Sequence, residues 1–234
     1  MLGLCLSIIV VALLTLFELR VSPRGGDRRL NLQVWALGFA SRMLLVPLVL
    51  LWPGTSLVKG SELPFWAGFL AYFLAMDLGE YLFHRAQHAV PALWKLHSLH
   101  HSDAALTATT TERHFWGDPL LKSATVWPAA AFLVAPTPAI AGAYMVATLW
   151  NYPVHSSLRM NFGRFSWLLN SSAYHRRHHS SRPEHFNSNY AALLPIWDVL
   201  LGSYNRPEGY PPTGLDQRPC SIREAAIWPL LLRS

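Results

Sequence analysis

All 11 histidines of the chain lie between positions 84 and 185, and eight of them form three short patterns. The segment HRAQH places two histidines at i and i+4, and the segments HSLHH and HRRHH each place three at i, i+3 and i+4. Residues at these offsets share one face of an α-helix, about 5–6 Å apart at Cβ. Three helices that present imidazoles are therefore predicted, with these members: His84 and His88; His97, His100 and His101; His175, His178 and His179.

Such crowding of imidazoles indicates a metal site. Protonated imidazoles would repel one another, whereas neutral imidazoles can bind a divalent cation from several sides. Eight ligands exceed what one tetrahedral or octahedral ion requires. The spacing therefore predicts two metal ions.

Other metal chemistries fit the motifs less well. A zinc protease of the HExxH type needs a glutamate directly after the first histidine, where this chain has Arg85. A ferritin-like di-iron site uses Glu-x-x-His pairs, and Glu80 is the only carboxylate close before a histidine pair. A metal transporter would place its ligands within membrane spans, whereas these histidines follow apolar regions.

The composition indicates a membrane protein. Of 234 residues, 52% are hydrophobic and 14% are charged, against about 25% charged in typical soluble domains. The net charge is +6, but the arginines lie at the ends of apolar runs, so nucleic-acid binding is not expected. Cys5 and Cys220 form neither a metal-binding motif nor a disulfide framework.

Four apolar regions predict membrane spans: Leu2–Phe17, Leu32–Trp52, Leu63–Phe83 and Leu120–Trp150. The first lacks a basic N-terminal region and a clear cleavage site, so an uncleaved span is favoured over a signal peptide. Four arginines separate the first two regions, whereas one lysine separates the second and third. This asymmetry predicts that the arginine-rich loop, and the histidines that follow the third span, lie on the cytoplasmic side.

The order of the motifs resembles a known family. The segments HRAQH, HSLHHSD and HRRHHS, followed by NSNYAALLPIWDVLLGSY, are similar to the fatty acid hydroxylase/sterol desaturase superfamily of integral membrane di-metal oxygenases. The resemblance covers about Asp77 to Tyr204. It implies a di-iron centre that activates O₂ to hydroxylate or desaturate a C–H bond of a lipid. With the apolar regions, it implies an all-α membrane bundle of about four to five hydrophobic helices with a cytoplasmic histidine-rich helical cap.

The resemblance also implies roles for residues outside the three patterns. His155 in NYPVHSS fits a ninth ligand, and Asn151 stands where some members have a further histidine. His114 in TERHF is expected to lie beside the ligands or to face the substrate. Independently of the resemblance, Asp77 and Glu80 are predicted to orient ligating histidines through the second ring nitrogen, unless they are helix-end charges at the membrane surface.

A shared metal site requires that His155 return to the side of the earlier histidines. One span of the 31 residues from Leu120 to Trp150 would deliver it to the opposite side. The segment VAPTPAI breaks this region, because Pro136 and Pro138 disfavour helix. A short helical hairpin with its tip at Thr137 is therefore predicted.

The predicted organisation has three parts: N-terminal transmembrane helices (1–62), a catalytic domain (63–204) and a C-terminal tail (205–234). The lipid substrate stays open among sterols, fatty acyl chains, alkyl glycerols and carotenoids. The sequence has no dinucleotide fingerprint and no haem-attachment motif, so a separate electron donor protein is expected. A membrane metal-dependent hydrolase and a non-catalytic metal-binding protein are competing hypotheses, and zinc can replace iron in purified protein.

Overall fold

The computed structural model describes residues 2–21, 26–49 and 55–232, most of which are helical. The predicted all-α class is therefore confirmed. A short parallel ladder is added by β1 (Val58–Lys59) and β2 (Val134–Ala135). The helices are α1 (Leu2–Val21), α2 (Arg28–Val49), α3 (Phe65–Ala89), α4 (Pro91–His101), α5 (Asp118–Leu133), α6 (Pro138–Thr148), α7 (Asn151–His155), α8 (Ser172–His178), α9 (Ile196–Leu200), α10 (Ile222–Ala226) and α11 (Trp228–Leu231).

Helix α3 forms the centre of the fold. Its buried residues Tyr72 and Met76, one helical turn apart, pack in a core with residues of α5 and α6. Gly68 allows α6 to approach closely, since a Cβ at this position would lie 2.8 Å from Ile140 Cδ1. Beyond this core, the last two turns of α3 carry the first histidine pattern.

The fourth apolar region folds as two helices, as its prolines predict. Helix α5 ends at Leu133, and α6 begins at Pro138. Thr137 caps α6, with its Oγ1 accepting a hydrogen bond from Ile140 N at 3.3 Å. Both helices pack against α3, and α7 then brings His155 to the histidines of α4.

Membrane crossing is not shown by the helices themselves. Across residues 2–21, 26–49 and 55–232, no helix is both long enough and apolar enough to qualify as a membrane span. The second predicted span, Leu32–Trp52, extends into residues 50–52, which lie outside the described residues. The four spans therefore stay predictions.

The end of the chain is more structured than the predicted tail. Residues 205–219 are irregular, as their proline and glycine content predicts. Helices α10 and α11 then pack against α2 and α4. Trp228 is only 1% exposed, and its Nε1–H donates to Ser98 Oγ at 2.9 Å. Residues 205–232 thus form a loop followed by two short helices, which are anchored by the burial of Trp228 in a cluster with Leu99.

Candidate metal centre

The nine histidines predicted as ligands lie in two compact groups. In each group, one ring nitrogen of every member lies within 4.8 Å of those of the others. Seven of the nine side chains are buried and two are half-buried, so both groups are shielded from bulk water. The five-histidine group comprises His84, His88, His97, His101 and His178, and the four-histidine group comprises His100, His155, His175 and His179.

Helix geometry divides the two triplets between the groups. Consecutive residues of an α-helix are about 100° apart, so i+4 lies about 40° from i, whereas i+3 lies about 60° to the other side. In each triplet the i and i+4 histidines accordingly face one group and the i+3 histidine faces the other. The i and i+4 histidines of the first triplet, His97 and His101, belong to the five-histidine group. Those of the second triplet, His175 and His179, belong to the four-histidine group.

The Nε2 atoms within each group are spaced like ligands of one ion. Ligands about 2.1 Å from an octahedral ion lie about 3.0 Å from one another. The Nε2–Nε2 distances in the five-histidine group are 3.2 Å for His97–His101 and 3.1 Å for His101–His178. Those in the four-histidine group are 3.1 Å for His100–His155, 2.8 Å for His155–His175 and 3.1 Å for His175–His179.

Main-chain carbonyl groups determine which ring nitrogen faces each group. Three histidines direct Nδ1 to a carbonyl oxygen: His84 to Tyr190 (2.7 Å), His178 to Ser188 (2.8 Å) and His155 to Asn151 (2.8 Å). A carbonyl oxygen only accepts, so the proton is on Nδ1 and Nε2 carries a lone pair. Such lone pairs repel at these distances unless a cation lies between them. His84 Nε2 is buried without a hydrogen-bond partner among the described residues, which fits a metal ligand.

Burial keeps the clustered imidazoles neutral. Burial, aided by neighbouring imidazoles, lowers the pKa of six of them well below the usual value: His84, His100, His101, His175, His178 and His179. The pKa of His155 is lowered to about 3, mainly by burial. The neutral imidazole is the form that binds metal, so at neutral pH protons do not compete for these ligands.

The segment NSNY positions two of the orienting carbonyl groups. Asn187 and Asn189 have φ angles of 56° and 60°, a left-handed conformation that asparagine tolerates better than most residues. The Asn189 side chain accepts from Asn205 N at 2.7 Å and donates to Asn205 O at 2.8 Å. This turn directs the carbonyl groups of Ser188 and Tyr190 to the histidines.

Asp198 secures the same loop from its other side. Its buried carboxylate accepts hydrogen bonds from Tyr190 N (2.8 Å), Ala191 N (2.9 Å), Ser203 Oγ (2.7 Å) and the Tyr174 hydroxyl. Tyr174 directly precedes the third histidine pattern on α8. One carboxylate therefore ties the orienting loop to the helix that carries the ligands.

Asp77 and Glu80 have partners other than the predicted ones. Asp77 accepts from Trp197 Nε1 at 2.8 Å, in the segment that contains α9. Glu80 pairs with Lys122 Nζ at 2.9 Å and accepts from the Tyr144 hydroxyl at 2.9 Å. The prediction that these carboxylates orient histidines is corrected: they fix α5, α6 and the α9 segment to α3.

Asn151 and His114 lie beside the groups. The Asn151 side chain donates to a carbonyl of α6, and it is the Asn151 main-chain oxygen that orients His155. The His114 ring stacks on the His100 ring, with centroids 4.4 Å apart and planes inclined by 9°. His114 is therefore placed to support a clustered histidine, and its Nδ1 lies 3.1 Å from Asp118 Oδ2.

The sequence reasoning missed Asp118 and Gln87. Asp118 is 4% exposed, and its carboxylate lies against His114, His97 and the Gln87 amide. Burial alone would raise the pKa of Asp118, but the neighbouring imidazoles of His114 and His97 outweigh burial and lower it. Two features of the sequence could have indicated these residues. His114 and Asp118 have i, i+4 spacing, and Gln87 lies inside the histidine pattern HRAQH.

The helices thus bring together two buried groups of imidazoles. Each group has the donor atoms that a metal ion needs, so the site is typical of proteins that bind a pair of metal ions. The chain belongs to the fatty acid hydroxylase family, whose model matches residues 69–203, more than half of its 234 residues. The matched region contains every member of both groups. The family resemblance inferred from the motifs is confirmed.

Curated relatives match a similar part of the chain. It is 35% identical to an alkylglycerol monooxygenase of Xenopus tropicalis over 61% of this chain and 32% of the relative. It is 33% identical to the ornithine lipid hydroxylase OlsE of Rhizobium tropici over 56% of this chain and 40% of the relative. It is 30% identical to the Delta(7)-sterol 5(6)-desaturase erg3B of Aspergillus fumigatus, over 63% and 43% respectively. The match thus spans less than half the length of these relatives, and no solved structure shows significant similarity to the chain.

Proposed function

We propose that this protein is a di-iron oxygenase that hydroxylates or desaturates a C–H bond of a lipid. The observation that carries the proposal is the pair of histidine groups, whose Nε2 atoms lie at ligand spacing. Membership of the fatty acid hydroxylase family supports it, and the relatives are named as a monooxygenase, a hydroxylase and a desaturase. Two iron ions are the proposed cofactor, and zinc can occupy the same ligands in purified protein.

In this proposal each histidine group holds one iron ion. Bound iron supplies the redox chemistry by which O₂ is activated for C–H oxidation. The chain contributes the ligands, their orientation and the exclusion of water. The carbonyl groups of Tyr190, Ser188 and Asn151 hold protons on Nδ1, so the Nε2 atoms stay available. Because all members of both groups are neutral imidazoles, no ligand charge offsets the charge of the ions.

An apolar cavity of 400 Å³ between α1 and α2 supports a lipid substrate. Tyr152 contributes to its wall and lies on α7, the helix that also carries His155. The apolar lining includes Ile8, Val11, Leu32 and Trp35. The oxidation also requires electrons, and we assign their delivery to a separate donor protein because the sequence contains no recognisable electron-carrier motif.

We further propose a multi-pass membrane protein with both histidine groups on the cytoplasmic side. Large apolar side chains are exposed on α1 and α3, among them Leu13 (63%) and Trp66 (70%). Glu18, at the start of the arginine-rich segment, accepts hydrogen bonds from Ala108 N at 3.0 Å and Ser157 N at 2.7 Å. Glu18 thus joins the end of α1 to the histidine-bearing part, and the positive-inside rule favours the cytoplasm for this end of α1.

The orientation predicts how the two native cysteines react. Cys220 is exposed just before α10, in the part that packs against α4, and Cys5 lies on α1. In a Cys5→Ser variant, a membrane-impermeant maleimide is expected to label Cys220 in permeabilised cells and to leave it unlabelled in intact cells. A variant that lacks both cysteines, with Cys5→Ser and Cys220→Ser combined, provides the background. Labelling in intact cells would refute the cytoplasmic side but not the metal groups.

The reaction is tested by the lipids of cells that express the protein under isotopically heavy O₂. We expect a new lipid that carries one heavy oxygen atom, or one with two hydrogens fewer if the reaction is desaturation. Cells expressing His178→Ala should lack this product. Cleaved lipids with oxygen from water would instead indicate a hydrolase, and an unchanged lipid profile would indicate a non-catalytic metal-binding protein.

A further inference from the structure

We propose that Asp118 is a positioning residue that holds a proton on Nδ1 of His97 and of His114, and thereby keeps His97 Nε2 available to a metal ion in the five-histidine group. The inference rests on the proposed function only in requiring that this group binds a metal. Asp118 belongs to neither group and acts through the histidines, in the manner of the carboxylates that orient metal-ligating histidines elsewhere.

One carboxylate oxygen faces two imidazoles. Asp118 Oδ2 lies 3.1 Å from His114 Nδ1 and 3.6 Å from His97 Nδ1. His97 Nδ1 is buried without a hydrogen-bond partner in the described part of the chain, and His97 Nε2 lies 3.2 Å from His101 Nε2. A shift of about half an ångström brings His97 Nδ1–H within hydrogen-bond distance of the carboxylate. The His97 ring is thus placed between Asp118 and the metal ligands.

Gln87 fixes the direction of the Asp118 side chain. The Gln87 Nε2–H group donates to Asp118 Oδ1, and both side chains are buried. Gln87 lies on α3 between His84 and His88, so its amide is anchored to the helix that supplies two ligands. An amide nitrogen only donates, so the atom that faces it must accept. Asp118 Oδ1 accepts from Gln87, and Asp118 Oδ2 faces the two histidines.

Asp118 also reaches the four-histidine group through His114. The His114 ring stacks on His100, whose Nε2 lies 3.1 Å from His155 Nε2. The charge-assisted hydrogen bond from Asp118 holds the His114 ring in place. The His114 ring in turn restricts the orientation of His100, a member of the four-histidine group. One buried carboxylate at the start of α5 contacts the surroundings of both groups.

A competing interpretation is a third metal ion held by His97, His114 and Asp118, whose ligand atoms also lie within 4.8 Å of one another. It would require His97 to bind an ion through each ring nitrogen. A neutral imidazole has one lone pair, so it cannot serve two ions. A count of bound ions distinguishes the two interpretations.

The Asp118→Leu variant tests the proposal by removing the acceptor at a similar side-chain size. With no acceptor at position 118, nothing holds the ring proton on His97 Nδ1. A proton on His97 Nε2 instead blocks ligation. We expect the Zn²⁺ affinity of the purified full chain to fall about 10–100-fold, measured by competition with a chromophoric chelator.

A double variant, Gln87→Glu with Asp118→Asn, is the matched rescue. The new glutamate accepts from the NH₂ group of the new asparagine, which turns the amide oxygen to the histidines at the wild-type net charge. Zn²⁺ affinity is expected to return to within a few-fold of wild type. Asp103→Asn is the control, because this equally buried carboxylate binds Asn31 and Thr110 instead of a histidine. Its Zn²⁺ affinity should equal that of wild type.

Nitrogen NMR of the Zn²⁺-loaded wild type supplies a test that needs no variant. It should show His97 protonated on Nδ1, and a proton on Nε2 would overturn the proposal. Wild-type Zn²⁺ affinity in Asp118→Leu, or a double variant no better than Asp118→Leu, would overturn it too. Three ions per chain would establish the third site instead. Failure of the wild type to bind Zn²⁺ would count against the proposed metal groups themselves.

Discussion

Replacing His178 with alanine is expected to abolish lipid oxidation, lowering turnover by at least about a hundredfold. His178 Nε2 lies 3.1 Å from His101 Nε2, and its Nδ1 is held by the carbonyl group of Ser188. Loss of a group that merely orients a ligand already costs about 10–100-fold in metal affinity or activity, and loss of the ligand should cost more. Turnover and bound metal are to be measured on the same purified preparation.

His185→Ala is the matched control for this variant. His185 is as buried as His178, but its Nδ1 lies 2.8 Å from Ser180 Oγ and it belongs to neither histidine group. Its removal should leave the metal content unchanged and turnover within a few-fold of wild type. Full metal content and activity in His178→Ala would show that His178 is not a ligand.

Asp198→Ala is expected to destabilise the protein by about 4 kcal/mol or more, the largest stability effect that we predict. The substitution removes a fully buried carboxylate and leaves four donors without a partner, those of Tyr190, Ala191, Ser203 and Tyr174. Each unsatisfied buried donor costs about 1–3 kcal/mol. The variant should also lose the hydrogen bond between His84 Nδ1 and the carbonyl oxygen of Tyr190, so bound metal should be lost.

Denaturant unfolding in detergent, together with metal analysis, measures both effects. Asp216→Ala is the control, because Asp216 is exposed in the irregular segment before α10. It should change the free energy of unfolding by no more than about 0.5 kcal/mol. An Asp198→Ala protein as stable as this control, with full metal content, would contradict the role assigned to the carboxylate.

Much of the site could be predicted from the sequence because its ligands follow helical periodicity. The i, i+3, i+4 spacing identified eight candidate ligands, and the family resemblance added His155. The division of each triplet between two groups also follows from the helical angle, once α4 and α8 are known to face each other. Pro136 and Pro138 predicted the break between α5 and α6, because the effect of proline on a helix is local.

The parts that sequence reasoning missed depend on tertiary contacts. Glu80 lies one helical turn before His84, which suggested a supporting role, yet Lys122 and Tyr144 approach it from other helices. Asp77 lies seven residues before His84, about 10.5 Å along the helix axis, too far for direct contact. The carbonyl groups that orient His84 and His178 carry no side-chain signature at all. Only the left-handed asparagines around them indicate a special turn.

The central claim is that the two histidine groups hold one metal ion each. X-ray absorption spectroscopy of the purified protein, combined with elemental analysis, tests it most directly. We expect two ions per chain with imidazole nitrogens at about 2.0–2.2 Å, and about one ion per chain in variants that lack a ligand of one group. A wild-type protein that binds a single ion through three or four histidines would contradict the claim.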